Sequence, residues 1–221
     1  MGKQKVLGAA VVANVLEWYD FGLYGYFAPI LAGLFFPAQD KFVSLISIFG
    51  VFAAGFLVRP LGAVVFGHLG DKISRTRALS TSIMLMAVPT TLLGCLPTYA
   101  QVGIAAPIAL ILIRVLQGFS VGGQLGGSLI ILVENAPPSR RGLGGSWSNG
   151  GAVMGMLLGS GIGALITSMA SPEWVNTWGW RIPFLFGSLV GTVGFYMRGS
   201  KEKPETLRSF KDSRTIVEYP A

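Results

Sequence analysis

Apolar residues in this chain fall into long blocks, separated by short polar connections rich in glycine and proline. A membrane-spanning helix needs about 20 mostly apolar residues. Six blocks meet or approach that length, over roughly 6–34, 42–66, 78–97, 104–134, 143–169 and 182–198. The longer ones have room to tilt or to include an interfacial turn. After residue 198 the pattern changes. The segment 199–221 is polar, contains Pro204 and has no apolar periodicity, which predicts a disordered cytoplasmic tail. The pattern therefore predicts an all-α membrane protein with six transmembrane helices over 1–198.

Composition supports that class. Of the 221 residues, 52% are hydrophobic and 12% are charged, against about 25% charged in soluble domains. The net charge of +7 does not indicate a nucleic-acid partner, because the basic residues sit in the connections. One side collects Lys3, Lys5, Lys72, Arg75, Arg77, Arg140 and Arg141. Arg198, Lys201, Lys203, Arg208, Lys211 and Arg214 follow the last span on that side. The other side has Lys41 and Arg181. The positive-inside rule places both termini in the cytoplasm. The N-terminal stretch reads as an uncleaved first helix, since Glu17 and Asp20 interrupt it before a cleavage site appears. Cys95 has no partner for an internal disulfide and is expected in the core. With one histidine, His68, and one cysteine, neither a paired-histidine metal site nor a Cys/His dyad can be built. A soluble enzyme is excluded on that basis, and no cofactor is expected.

The polar residues inside the apolar blocks carry the chemistry. In NVLEWYDFGLYG, residues 14–25, helical spacing puts Asn14, Glu17, Asp20 and Tyr24 on one side of the first span. Arg59 and Arg114 lie inside the second and fourth spans. Ionisable groups in the membrane are costly and mark function, or else an ion pair that holds helices in register. Counting about 1.5 Å per residue from the span ends puts Asp20 and Arg114 at middle depth, and Glu17 near Arg59. Two compensating pairs are expected, facing a polar interior. Gly118, Gly122 and Gly126 repeat every four residues in the fourth span, as do Gly151, Gly155, Gly159 and Gly163 in the fifth. Such stripes let helix backbones approach closely, for static packing or for sliding.

The connection after the second span reads RPLGAVVFGHLGDKISRTRAL, residues 59–79. Its core of Gly67, His68, Gly70, Asp71 and Lys72, with Arg75 and Arg77, resembles the loop between the second and third helices of the major facilitator superfamily. Arg114, Gln117 and Gly118 resemble a second signature of that superfamily. EWYDFGLYGYFA, FFPAQD, RPLGAVVFGHLGD, LQGFSVGG, RRGLGGSWSNGGAVMG and WGWRIPFLFG together resemble the metabolite:proton symporter branch, over about residues 8–198. That branch includes proline/betaine, α-ketoglutarate, shikimate and citrate transporters. The resemblance implies 3+3 inverted repeats forming the N-terminal half of a twelve-helix transporter in the cytoplasmic (inner) membrane. It implies solute and proton coupling through Glu17, Asp20, Tyr24, Arg59, Arg114, Gln117 and Gln124. It also implies a cytoplasmic gate built from Gly67, Gly70, Asp71, Arg75, Arg77 and Glu134. Gln124 departs from the pattern, because related transporters often carry an acid there; Ser148-Asn149 departs from it too.

Proton-coupled symport of a small polar solute, a carboxylate or a betaine, is the expected function. The length matches half a transporter, so the expected partners are solute, protons, lipid and a second half or another copy. The alternative is a non-transporting remnant or an interaction subunit of a full-length relative. An aquaporin-like channel has no Asn-Pro-Ala pair to stand on, since the asparagines are 14, 135, 149 and 176.

Overall fold

A computed structural model describes residues 3–73 and 75–188. Every regular element among them is helical. Three long helices come first: α1 (Lys3–Phe35), α2 (Lys41–Lys72) and α3 (Arg75–Cys95). After the short α4 (Tyr99–Val102) come α5 (Ala105–Asn135) and α6 (Arg141–Met169). The chain ends in α7 (Pro172–Trp174), a π-helical turn over Val175–Gly179 and α8 (Arg181–Leu185). The sixth predicted span begins in α8. Its remainder from residue 189 and the 199–221 tail lie outside the described residues.

Four of the described helices are long and apolar enough to cross a membrane: α2, α3, α5 and α6. The 33-residue α1 is also long enough to cross a membrane. Glu17, Asp20, Tyr19, Tyr24 and Tyr26 dilute its apolar character. All but Tyr26 are buried where α1 packs on α6, α5 and α2.

Two helix pairs dominate the packing, α1 with α6 and α2 with α5. Both pairs run parallel and are set by glycine. A Cβ on Gly155 or Gly159 would strike the carbonyl oxygens of Val15 and Tyr19. On the other pair, a Cβ on Gly118 or Gly122 would strike the carbonyls of Gly55 and Arg59. Close approach is reciprocal: a Cβ on Gly22 would lie 2.7 Å from the Met156 carbonyl. In lipid there is little hydrophobic drive between helices, so close backbone contact supplies the association. The opposite faces are apolar and exposed, with Leu57, Leu61 and Val64 on α2 and Leu157, Leu158 and Leu165 on α6.

One end of the bundle is closed by Leu31, Phe35, Leu93, Trp180 and Phe184. Arg181 completes that end. It donates to the carbonyls of Gly94 at 3.1 Å and Leu96 at 2.6 Å, satisfying the exposed C-terminal carbonyls of α3. Cys95, expected in the core, is instead exposed. It is the last residue of α3, where the apolar stretch meets the surface. The second span also runs further than predicted. Helix α2 continues through Lys72, so Gly67, His68, Gly70 and Asp71 are helical. A helix keeps its backbone hydrogen bonds in polar surroundings, so it need not stop where its apolar run stops. Among the described residues only Gly103 takes a positive φ, 60°.

Gly118→Ala is expected to lower stability by about 2–3 kcal/mol through overpacking. Gly161→Ala faces open space within the same fold and should be neutral or stabilising, by up to about 1 kcal/mol. Thermal unfolding of both variants in detergent checks the contrast.

Candidate functional site

Asn14, Glu17, Asp20 and Tyr24 are all buried, on the side of α1 that the helical spacing specifies. Arg114 enters from α5 and donates from Nη1 to Oδ2 of Asp20 at 2.6 Å. Both side chains are at most 3% exposed. Gln117, one helical turn along α5, donates from Nε2 to Oδ1 of Asp20 at 3.3 Å and to Thr90 Oγ1 at 2.7 Å. Thr90 belongs to α3, so α1, α3 and α5 are tied together at one carboxylate. Tyr24 lies under the Arg114 guanidinium, 3.8 Å from ring centroid to Cζ, and donates its hydroxyl to the Ile48 carbonyl of α2 at 2.9 Å. The set is not saturated. Arg114 Nε and Nη2 and Gln117 Oε1 are buried without a hydrogen-bond partner.

The second expected pair does not form. Glu17 is fully buried, yet neither carboxylate oxygen accepts a hydrogen bond. Arg59 instead stacks on aromatic rings, with Cζ 3.7 Å from the Phe56 centroid and 4.6 Å from that of Phe21. That Arg59 lies close enough for its charge to act on Glu17 was legible from depth. Its preference for Phe56, one turn back on its own helix, was not. Asp20, Phe21, Phe52, Phe56, Arg59, Arg114 and Gln117 line one cleft, with Gly55, Met86, Gly118 and Val121. Sequence reasoning missed Thr90, Phe21, Phe52 and Phe56. Pairs of Phe at four-residue spacing in an apolar block carry no signal that separates a cleft wall from a lipid face. Asn14 donates to the backbone carbonyl of Ser148, at one of the departures noted in the fifth span. The Gln124 side chain lies outside the described residues.

The expected gate residues sit at one end of the bundle. Gly67, Gly70 and Asp71 occupy the last turns of α2, and Arg75 and Arg77 the first turn of α3. Because α2 and α5 run parallel in register, Glu134 in the last turn of α5 emerges at the same end. Arg77 and Glu134 both engage neighbouring groups. The Arg75 side chain is outside the described set.

A buried acid–base pair joining the first and fourth long helices of a glycine-packed bundle can be compared directly with known proteins. The family model described as sugar (and other) transporter matches residues 6–205. The chain belongs to that family. It is 41% identical over 209 residues to the proline/betaine transporter of Salmonella typhimurium, covering 95% of this chain and 42% of that protein. It is 40% identical over 192 residues to the citrate-proton symporter of Klebsiella pneumoniae, covering 87% and 43%. The shikimate transporter of Escherichia coli is 40% identical over 190 residues, covering 86% and 43%. The chain thus spans less than half the length of these relatives and aligns as their N-terminal half. The inward-open xylose transporter XylE from E. coli superposes with a TM-score of 0.76 at 18% identity, covering 95% of this chain and 51% of XylE. At that identity the match shows the fold, half of a major facilitator. The relatives are membrane transporters, not enzymes, and this family member is a multi-pass membrane protein.

Breaking a buried ion pair on one side strands the other charge and costs about 3–5 kcal/mol. Arg114→Leu and Asp20→Asn are therefore each expected to destabilise the protein strongly, while the double variant recovers much of the loss. Unfolding in detergent across this double-mutant cycle measures the coupling, and additive losses would contradict the pairing.

Proposed function

We propose that this chain forms one half of a proton-coupled solute transporter, working by alternating access with a second half. The reading rests above all on the unsaturated Asp20–Arg114–Gln117 cluster. A solute carboxylate fits Arg114 Nε and Nη2, which lie buried without partners, and guanidinium binds carboxylates through two parallel hydrogen bonds. A proton arriving on Asp20 neutralises the carboxylate and loosens its hold on Arg114, so proton and solute compete for or share the same guanidinium. The substrate class is a small polar organic carboxylate or betaine. The names of the relatives support this, including a citrate-proton symporter and proline/betaine transporters.

The full architecture on this reading has six spans, both termini in the cytoplasm and 3+3 inverted repeats in the inner membrane. The pairing of helices supports it. Exchanging the first three spans with the last three converts the α1–α6 pair into the α5–α2 pair, and these are the two dominant contacts. Asp71, Arg75, Arg77 and Glu134 then latch the cytoplasmic end. In such folds the solute site lies between halves, near the bilayer midplane.

Uptake into vesicles carrying this chain together with a second half, with and without an imposed pH gradient, tests the proposal. Saturable, gradient-dependent uptake is expected. Arg114→Lys should retain part of it, and Arg114→Leu should lose about a hundredfold or more, because a point charge partly replaces the guanidinium and an apolar side chain does not. Gradient-independent, non-saturable flux, or identical behaviour of the two variants, overturns the reading.

A further inference from the structure

The cleft holds a second feature that solute-carboxylate binding leaves unused. Phe21 of α1 and Phe52 and Phe56 of α2 form a mutually packed triangle of rings, with centroid separations of 5.4, 5.6 and 5.0 Å. The Arg59 guanidinium lies over two of them. Its Nε and Nη2 are buried without hydrogen-bond partners. The Arg59 charge acts on Glu17 across the gap between them. Both Glu17 oxygens are fully buried and equally without partners. Donors on α2 and acceptors on α1, two helices in contact, are therefore orphaned without meeting. Leaving each unpaired is costly in a low-dielectric interior.

We propose that the Phe21, Phe52 and Phe56 faces are a binding site for an organic ammonium group, plugged by Arg59 in this structure. The ligand class is a weakly hydrated, alkylated ammonium, which gains from ring faces and does not need hydrogen-bond acceptors. Its arrival displaces Arg59, whose freed donors then meet the Glu17 carboxyl oxygens. This inference rests on the cleft being the solute site, and it deepens that reading. Arg114 offers the carboxylate end of a solute its partner, and the aromatic triangle takes the cationic end. Both line the same cleft, so a short zwitterion that displaces Arg59 engages both ends, where a simple acid engages one. Displacement also links occupancy to helix packing, because Arg59 and Phe56 stand on α2, Phe21 and Glu17 on α1.

The test uses the chain in lipid nanodiscs with 15N-labelled arginine, Arg59 and Arg114 being assigned by Arg59→Lys and Arg114→Lys. Tetramethylammonium probes the rings alone, acetate probes Arg114 alone, and glycine betaine probes both. Tetramethylammonium is expected to move the Arg59 side-chain resonance saturably, and Phe56→Leu to weaken that effect about tenfold. Phe56 is partly exposed, so this variant keeps the fold. Glu17→Leu should also weaken it, since Arg59 loses its destination. An Arg59 signal that ignores tetramethylammonium while acetate moves Arg114 overturns the ammonium site and leaves the carboxylate reading standing. A response undiminished in Phe56→Leu overturns the ring site as well, and undiminished binding in Glu17→Leu overturns the relocation. Silence of both arginines to all three probes overturns both readings.

Discussion

The Asp20–Arg114 contact constrains the molecule more than any other single interaction. Neither charge can stay buried alone in a low-dielectric interior, because desolvation of an isolated ion outweighs the packing around it. The pair therefore fixes α1 against α5 at one depth and in one rotation. Gln117 extends the link to Thr90 on α3, and Tyr24 extends it to α2 through the Ile48 carbonyl. Four helices thus converge on a carboxylate that would be wasteful in a merely structural bundle. The unsatisfied donors of Arg114 give the site an open valence for an anion.

Around this polar centre the glycines set a different kind of constraint. In water, apolar side chains would hold the helices together. In lipid, close backbone approach takes over. Contacts such as those of Gly118 with the Gly55 carbonyl and Gly155 with the Val15 carbonyl leave no room for a side chain. They hold each of the two pairs, α1–α6 and α2–α5, in close backbone contact. The ring cluster and Arg59 lie on the α1–α2 seam, between these units. On the proposed alternating-access reading, occupancy of the cleft and relative movement of the pairs meet in the same few side chains.

Much of this was legible in the sequence, where a physical period exposed it. Spacing put Asn14, Glu17, Asp20 and Tyr24 on one face, and rise per residue matched Asp20 with Arg114 in depth. The four-residue glycine stripes marked the close helix pairs. Other features had no periodic signature. Arg59 was matched to Glu17 by depth, but depth does not weigh a carboxylate against the nearer faces of Phe56 and Phe21. The end of α2 was set too early because hydropathy reports the membrane boundary, while backbone hydrogen bonding decides where a helix ends. Cys95 was read as core because an apolar neighbourhood in sequence does not reveal that it is the last residue of α3. Arg181 looked like a lone topology marker, yet it caps the α3 carbonyls across 85 or more residues of chain.

The proposed function requires the cleft holding Asp20 and Arg114 to lie on an aqueous solute path and not in a sealed polar core. Neighbouring positions on α2 separate these directly. Phe56 lines the cleft, whereas Leu57 is 79% exposed on the outer apolar face. In a Cys95→Ser background, the rate of modification by a charged, membrane-impermeant thiol reagent would be measured for Phe56→Cys and Leu57→Cys. On a solute path, Phe56→Cys reacts, added solute slows it, and Leu57→Cys stays unreactive. An unreactive Phe56→Cys, or equal rates at the two positions unaffected by solute, would contradict it.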